Sequence, residues 1–312
     1  MVFPRTGWNI MDNDQRIQYR LLQPFVRIFS RRNSILWISL CLMFMAAFLG
    51  ILASSLPGES ALDRISKTGV IRIGYAGEAP FAWRSESSVV TGEAPEVARA
   101  VLKKMGIRTI EWVEVDFASL IPMLQAGRFD MIAAGMFISP EREGQIAFSL
   151  PTACMESALL VQKNNPLGLS SYRDIAGRSD VVLAVLKGAV EMEQAIHAGI
   201  PQNRILAFPD PELAVRAMRH DMAHAFALTG PSVTFLAGVH ADMERALPFD
   251  GGGRVTGCSA FGFRMEERDL LAHFDRMLKT YVGSQEHRKL VASFGFTEEN
   301  VAFAVRFGAG EE

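Results

Sequence analysis

Residues 127–149, GRFDMIAAGMFISPEREGQIAFS, limit what this chain can fold into more than any other stretch. Residues 131–134 are apolar without alternation, which suits a short parallel strand buried on both faces. Gly135, Met136 and Phe137 then read as a turn, and a helix begins after Pro140. Ser139 can cap that helix, Pro140 fits its first position, and Glu141 favours its positive end. A strand handing over to a helix in this way belongs to an open α/β sheet, whose corners present ligand-binding groups. Phe137 offers an aromatic face there, and Arg142 a planar fork for a carboxylate. Spacing alone equally allows a core phenylalanine and a solvated arginine.

The flanking sequence repeats the alternation. A short helix (Ala61–Thr68) leads into a strand (Val70–Tyr75) that opens into a loop carrying Glu78, Pro80 and Phe81. Residues 93–105 set Val97, Val101 and Met105 on one helical face; a strand at 110–115, Phe117 and a helix through 120–127 follow. This βαβαβ series implies a parallel sheet with right-handed crossovers. From Ser157 an extended run leads away to a second series. Its strands are expected at 181–186, 204–207 and 223–228, and its helices at 190–197, 211–219 and from Gly230. Gly188 and Ala189 form its first turn. After the glycines at 251–253, residues 259–264 return, and amphipathic helices at 266–281 and 286–294 follow. The expected architecture is α/β: one lobe from residues 58–156 and 257–312, and a second from 157–256 inserted into it. A cleft between such lobes is a natural small-molecule site, and hinge closure the motion it allows.

The N-terminus differs in kind. Residues 1–34 carry six arginines against Asp12 and Asp14, and residues 35–56 carry no charge at all. The second run is long enough for a membrane-crossing helix of ~20 residues, and the arginines before it place residues 1–34 in the cytoplasm. It reads as an uncleaved anchor or as a signal segment cut after the small residues at 53–55. Everything after Pro57 then lies outside, in the periplasm.

A net charge of −2 gives no reason to expect nucleic-acid binding. His220 and His224 are four apart but lack the glutamate of a zinc-binding HExxH helix, so no metal is expected. No GxSxG, CxxC or phosphate-binding GxxxxGK motif is present, and no cofactor is expected.

Thr91-Gly92 before a helix, FASLIPMLQAG at 117–127, and Pro140-Glu141-Arg142 followed by Phe148-Ser149 resemble the periplasmic solute-binding proteins of ABC transporters that carry polar amino acids (family 3). The resemblance runs from about Leu62 to Asn300. Glu78-Ala79-Pro80-Phe81, Gly135-Met136-Phe137, NPLGLSSYRDI at 165–175 and the two later cysteines resemble the ectoine- and hydroxyectoine-binding members more closely. It implies the type II periplasmic-binding fold with a two-segment hinge, ABC permease subunits as partners, a small zwitterionic solute as ligand, and no enzymatic activity.

In such amino-acid binders an arginine at the position of Arg142 grips the ligand carboxylate, and a second-lobe aspartate holds the α-ammonium. Thr229 stands at the aspartate's place here, so a ligand without a primary amine is expected. Ectoine is one: a carboxylate joined to a delocalised cyclic amidinium. The resemblance assigns Arg142 to the carboxylate, Glu78 to the ring N–H groups, and Phe81, Phe117 and Phe137 to the walls, with Gly188, Ala189 and Thr229 completing the set. Ala189 replaces the family's usual threonine, and Phe117 a tyrosine found in ectoine binders. Read from the residues alone, Glu78 also suits a loop cap and the three phenylalanines a core. Trp83 reads as rim. Cys154 and Cys258 flank the two inter-lobe connections, as a disulfide in an oxidising compartment or as two buried thiols. The rival readings are a polar amino-acid-binding protein of the same family and a cyclohexadienyl-dehydratase-like enzyme on the same fold, with Glu78 as general acid or base.

Overall fold

The computed structural model describes residues 31–54, 59–250 and 257–310. The chain divides into two compact units, Met1–Glu59 and Ser60–Glu312. The described part of the first is one helix, α1 (Arg31–Ser54), which covers most of the uncharged run. Its residues from Trp37 to Phe48 are exposed, large apolar side chains among them. Among the described residues no helix is long and apolar enough to cross a membrane. The basic stretch before residue 31 and residues 55–58 lie outside the described residues.

The second unit is mixed α/β. Its elements run α2 (Ala61–Thr68), β1 (Val70–Tyr75), β2 (Trp83–Arg84), β3 (Val90–Thr91), α3 (Glu93–Lys104), β4 (Thr109–Glu114), α4 (Leu120–Gln125), β5 (Met131–Phe137), α5 (Pro140–Glu143), β6 (Ala147–Phe148) and β7 (Ala153–Met155). The series continues with β8 (Ser157–Gln162), α6 (Tyr172–Ala176), β9 (Leu183–Leu186), α7 (Val190–His197), β10 (Ile205–Phe208), α8 (Pro211–Arg219), β11 (Ala225–Thr229), α9 (Gly230–Val239) and β12 (Met243–Arg245). It ends with β13 (Gly257–Phe263), α10 (Arg268–Tyr281), α11 (Gln285–Ala292) and α12 (Glu298–Gly308).

Two sheets result. The first has the order β4-β1-β5-β13-β6, with β7 also paired to β13; the second has the order β10-β9-β11-β8-β12. β1 pairs parallel with both β4 and β5, as the βαβαβ reading requires, and β9 pairs parallel with β10 and β11. The strands inside the sheets, such as β9 and β11, are buried along their whole length, which explains their unbroken apolar sequences. β8 and β13 run antiparallel to their sheet partners. The chain passes from the first sheet to the second between β7 and β8 and is back in the first at β13; residues 251–256, on the return, lie outside the described residues.

The expected turn at 135–137 is instead the end of β5. Ser259 pairs with Phe137 and Ala260 with Met136, and this pairing with β13 carries the strand past Gly135. The glycine still bends the chain there, with φ +65° and the Phe81 ring lying where a Cβ would go. Asp130, wholly buried one residue before β5, ties the sheet to its neighbours. It accepts hydrogen bonds from the guanidinium groups of Arg64 (2.5 Å) and Arg72 (2.7 Å) and from the Arg72 backbone N–H (3.0 Å). Burial alone would raise its pKa, but these donors together hold it below the ordinary aspartate value. α12 lies beyond the last helix expected from the sequence. It starts with a capping box between Thr297 and Asn300, and Asn300 donates to the Cys154 carbonyl at 2.9 Å.

Cys154 and Cys258 are bonded as a disulfide and sit directly opposite each other in the β7–β13 pair. The bridge spans 104 positions of sequence, enclosing every strand of the second sheet.

Candidate functional site

Glu78, Phe81, Phe117, Phe137, Arg142, Ala189 and Thr229 line one cavity, together with Gly135, Val190 and Glu191. Glu78, Phe81, Phe117 and Phe137 come from loops and strand ends of the first sheet, and Arg142 from α5 beside it. Ala189, Val190, Glu191 and Thr229 come from the strand-to-helix corners β9–α7 and β11–α9 of the second. Local sequence sets each corner. Ser139 accepts a hydrogen bond from the Arg142 N–H at 3.4 Å and Pro140 opens α5, which turns the arginine back toward β5. Gly188, at φ +84°, makes the turn into α7 and packs against Ala118, so no larger residue fits without displacing that backbone.

The cavity is narrow. Glu78, Phe117, Phe137, Arg142 and Thr229 are all buried, and Phe81 more deeply still. Its free volume is about 20 Å³. That holds roughly one water, so a solute of several heavy atoms enters only when the two sheets part.

Two hydrogen bonds cross it. Arg142 Nη1 donates to the Phe137 carbonyl at 2.6 Å on its own side, and Nη2 donates across to the Gly188 carbonyl at 2.9 Å. The Ser232 hydroxyl, in the first turn of α9, donates to Glu78 Oε1 at 2.8 Å. The guanidinium also sits 5.6 Å from the centre of the Phe117 ring, within cation–π range. Gly188 therefore belongs to the site through its carbonyl. Thr229 caps α9, accepting from the Ser232 N–H at 3.4 Å.

The electrostatics follow from burial. Desolvation pushes the Glu78 carboxyl up to about 7, with the Ser232 hydrogen bond opposing. Desolvation lowers the Arg142 pKa, while the nearby charges of Glu191, Glu193 and Glu141 support its cationic form.

Sequence reasoning missed Glu191 and Ser232. Glu191 is 2 % exposed, its Oε1 has no hydrogen-bond partner, and its carboxyl is pushed up to about 7 by burial and then by the charge of Glu78. The signal was there: an acid in the first turn of a helix, three residues past Gly188. It reads equally well as ordinary favourable helix-end charge on a solvated surface. Trp83 does not line the cavity; it packs on Phe235 at 5.8 Å and Phe294 at 5.9 Å. His224 is spoken for structurally, its Nδ1 accepting from the Val182 N–H at 3.0 Å.

Comparison with known proteins places this geometry among relatives. Residues 71–297 match the family model for bacterial extracellular solute-binding proteins, family 3. A probable amino-acid ABC transporter periplasmic-binding protein of Sinorhizobium fredii is 33% identical over 263 residues, covering 82% of this chain and 87% of the relative. Among solved structures, EhuB in complex with hydroxyectoine aligns at 31% identity with a TM-score of 0.72, covering 78% of this chain and 95% of that one. An ancestral amino acid-binding protein described as a precursor of cyclohexadienyl dehydratase aligns at 28% identity with a TM-score of 0.66, covering 75% and 99%.

Proposed function

The chain belongs to the bacterial extracellular solute-binding proteins of family 3, and from that membership we propose that it captures ectoine or hydroxyectoine in the cavity between its two sheets. Its general role is that of the family: the extracytoplasmic solute-binding component of an amino-acid-type ABC importer, working with permease subunits. The narrower reading rests on one observation. A buried arginine and a buried glutamate face a single cavity whose other walls include three phenylalanines.

Arg142 receives the solute carboxylate. Two of its five donors are used on carbonyls, one of them across the cleft, and that bond is exchanged for the ligand. Glu78 accepts from the ring N–H groups of the amidinium. Phe81, Phe117 and Phe137 cover the flat faces of the ring, each contributing on the order of 0.5–2 kcal/mol. Gly188 and Ala189 offer backbone groups at the start of α7, and Thr229 its hydroxyl. The ligand-bearing resemblance to EhuB, at 31% identity, supports the same ligand class.

In this reading residues 58–156 and 257–312 act as one lobe and 157–256 as the other, hinged beside the Cys154–Cys258 bridge. The uncharged run at 35–56 serves either as a tether to the inner membrane or as a signal segment removed from the mature chain. A mature species beginning near residue 56 in soluble fractions would remove the tether but leave the binding function standing.

Calorimetry of the full-length chain in mild detergent, against ectoine, hydroxyectoine, glycine betaine, proline betaine and polar amino acids, tests the ligand. Heat with the ectoines supports the proposal. Silence with them, beside clear binding of an amino acid, moves the chain to the family's commoner ligands. A second reading is enzymatic: two buried carboxyls near 7 are poised as general acids or bases, and a precursor of cyclohexadienyl dehydratase shares the fold. Turnover of prephenate or arogenate decides for it.

A further inference from the structure

We infer that Glu191 is the second acid of the cleft. Paired with Glu78 it receives a solute cation that carries N–H donors, and the pair gives up a proton when that cation binds. The inference rests on the two-ended solute proposed above and names the chemistry of its cationic end.

The geometry carries it. Glu78 and Glu191 enter the same small cavity from opposite sheets, one on the loop after β1 and the other in the first turn of α7. Glu191 is sealed from solvent, and its Oε1 finds no donor. An acceptor sealed in this way is costly unless something supplies the missing hydrogen bond. The groups around it are Glu78 across the cavity, Arg142 on α5, Tyr172 on α6 and Ser157 on β8, with Glu193 of its own helix acting on Arg142. Arg142 is the sole cation among them.

One guanidinium does not neutralise two desolvated carboxylates, so one of the pair keeps a proton near neutral pH. The upward shifts of both carboxyls, and the part Glu78 plays in that of Glu191, agree with this. A solute carboxylate on Arg142 occupies the pair's positive neighbour, and the solute cation takes over its role. The shared proton then leaves to solvent as both acids become ionised against the cation. Thr229 leaves the β11–α9 corner without an acid. Glu191 supplies one from a different corner.

This also selects among cations. Aromatic walls alone suit a quaternary ammonium, which has no N–H to offer a dry carboxylate. An amidinium or guanidinium presents N–H groups to both acids at once. Glycine betaine is therefore excluded, although it too is a small zwitterion.

The test uses the full-length chain in mild detergent, titrated calorimetrically at pH 7 with ectoine, hydroxyectoine, arginine and glycine betaine. Each titration is run in two buffers of different ionisation enthalpy, which counts protons. The expected result is release of up to about one proton per solute bound, no binding of glycine betaine, and for Glu191→Gln a loss of about 10–100-fold in affinity with little proton release. Unchanged affinity and proton release in E191Q overturn the inference, as does tight binding of glycine betaine. Arginine binding with E191Q-sensitive proton release, beside silence from the ectoines, would reject the ectoine reading and keep the acid pair. A ligand-independent arm follows the glutamate carboxyl carbons by NMR in the unliganded chain. Glu78→Gln should lower the titration midpoint of Glu191, and an unmoved midpoint refutes the pair whatever binds.

Discussion

The Ser232 hydroxyl donates to the Glu78 carboxylate at 2.8 Å, joining residues 154 positions apart across the cleft. Together with the bond from Arg142 to the Gly188 carbonyl, it fastens the two sheets over the cavity. Both bonds use groups that the proposed solute needs, so binding exchanges inter-sheet contacts for ligand contacts. Ser232→Ala removes one fastening and leaves Glu78 without that donor. The unliganded variant should be more expanded by small-angle scattering than the parent chain, and the two should converge when ectoine is added. Identical unliganded curves would show that the bond does not hold the cleft shut.

Arg142→Ala deletes the one cation among the described residues that line the cavity and uncovers the two carbonyls it serves. Loss of one partner of a buried charge pair costs ~3–5 kcal/mol, so calorimetric binding of the solute should weaken by roughly two to four orders of magnitude. Arg142→Lys should recover only part of this, because an ammonium lacks the planar fork. Binding retained in the alanine variant would place the solute carboxylate elsewhere.

Gly135→Ala tests the wall. A Cβ at this position would lie 2.2 Å from the Phe81 ring, and the φ of +65° disfavours any side chain. Phe81, held edge-on to Phe296 at 5.2 Å, has little room to retreat. We expect a loss of about 1–3 kcal/mol in stability and weaker solute binding, measured by chemical denaturation and calorimetry. A fully stable variant with unchanged affinity would mean that Phe81 moves freely and is no wall.

Reducing the Cys154–Cys258 bridge should lower the melting temperature. The bridge restrains a loop spanning 104 positions, and removing such a constraint typically costs about 2–5 kcal/mol. Because the bridge lies in the β7–β13 pair and not in the cavity, the Cys154→Ala/Cys258→Ala double variant should keep its solute affinity well below its melting point. Lost affinity in a still-folded double variant would show that the bridge shapes the cleft.

Glu93 gives a pH dependence separate from the site. It is fully buried at the start of α3, neither oxygen has a hydrogen bond of ordinary geometry, and burial pushes its carboxyl up to about 7, with the nearby Thr152 hydroxyl opposing. The folded state therefore holds this proton more tightly than the unfolded state. Its contribution is fully favourable below pH 4.5 and is lost as pH rises to about 7. The loss is on the order of 3 kcal/mol at most. Glu93→Gln should leave the melting temperature nearly unchanged at pH 4.5 and raise it at pH 8. A gap that does not widen with pH would mean that Glu93 titrates normally.

Much of this site could be read locally. The Ser139-Pro140-Glu141 helix start, the apolar strand before Gly135 and the turn at Gly188 each depend on residues within a few positions of one another, so they are visible in order along the chain. Arg142, Glu78 and the three phenylalanines were found at the ends of such elements. β5 was misjudged at its end because its last residues are strand only through β13, more than a hundred positions later. The disulfide stayed open for the same reason, since the pairing of β7 with β13 decides it.

By itself, then, the sequence determined the α/β alternation, the corners that present side chains, and the family-like set of one arginine, one glutamate and three aromatic rings. Hydrophobic periodicity and helix caps act over one or two turns of chain and leave their mark in local order. Only the tertiary structure decided which polar groups meet. Glu191 lies in a first helical turn where a solvated acid would look the same, and Ser232 follows a cap where any small residue would serve. What makes them part of the site is the opposing sheet, which shuts water away from one and sets Glu78 within reach of the other. Burial and pairing across the cleft are properties of the closed fold, and no spacing within either stretch encodes them.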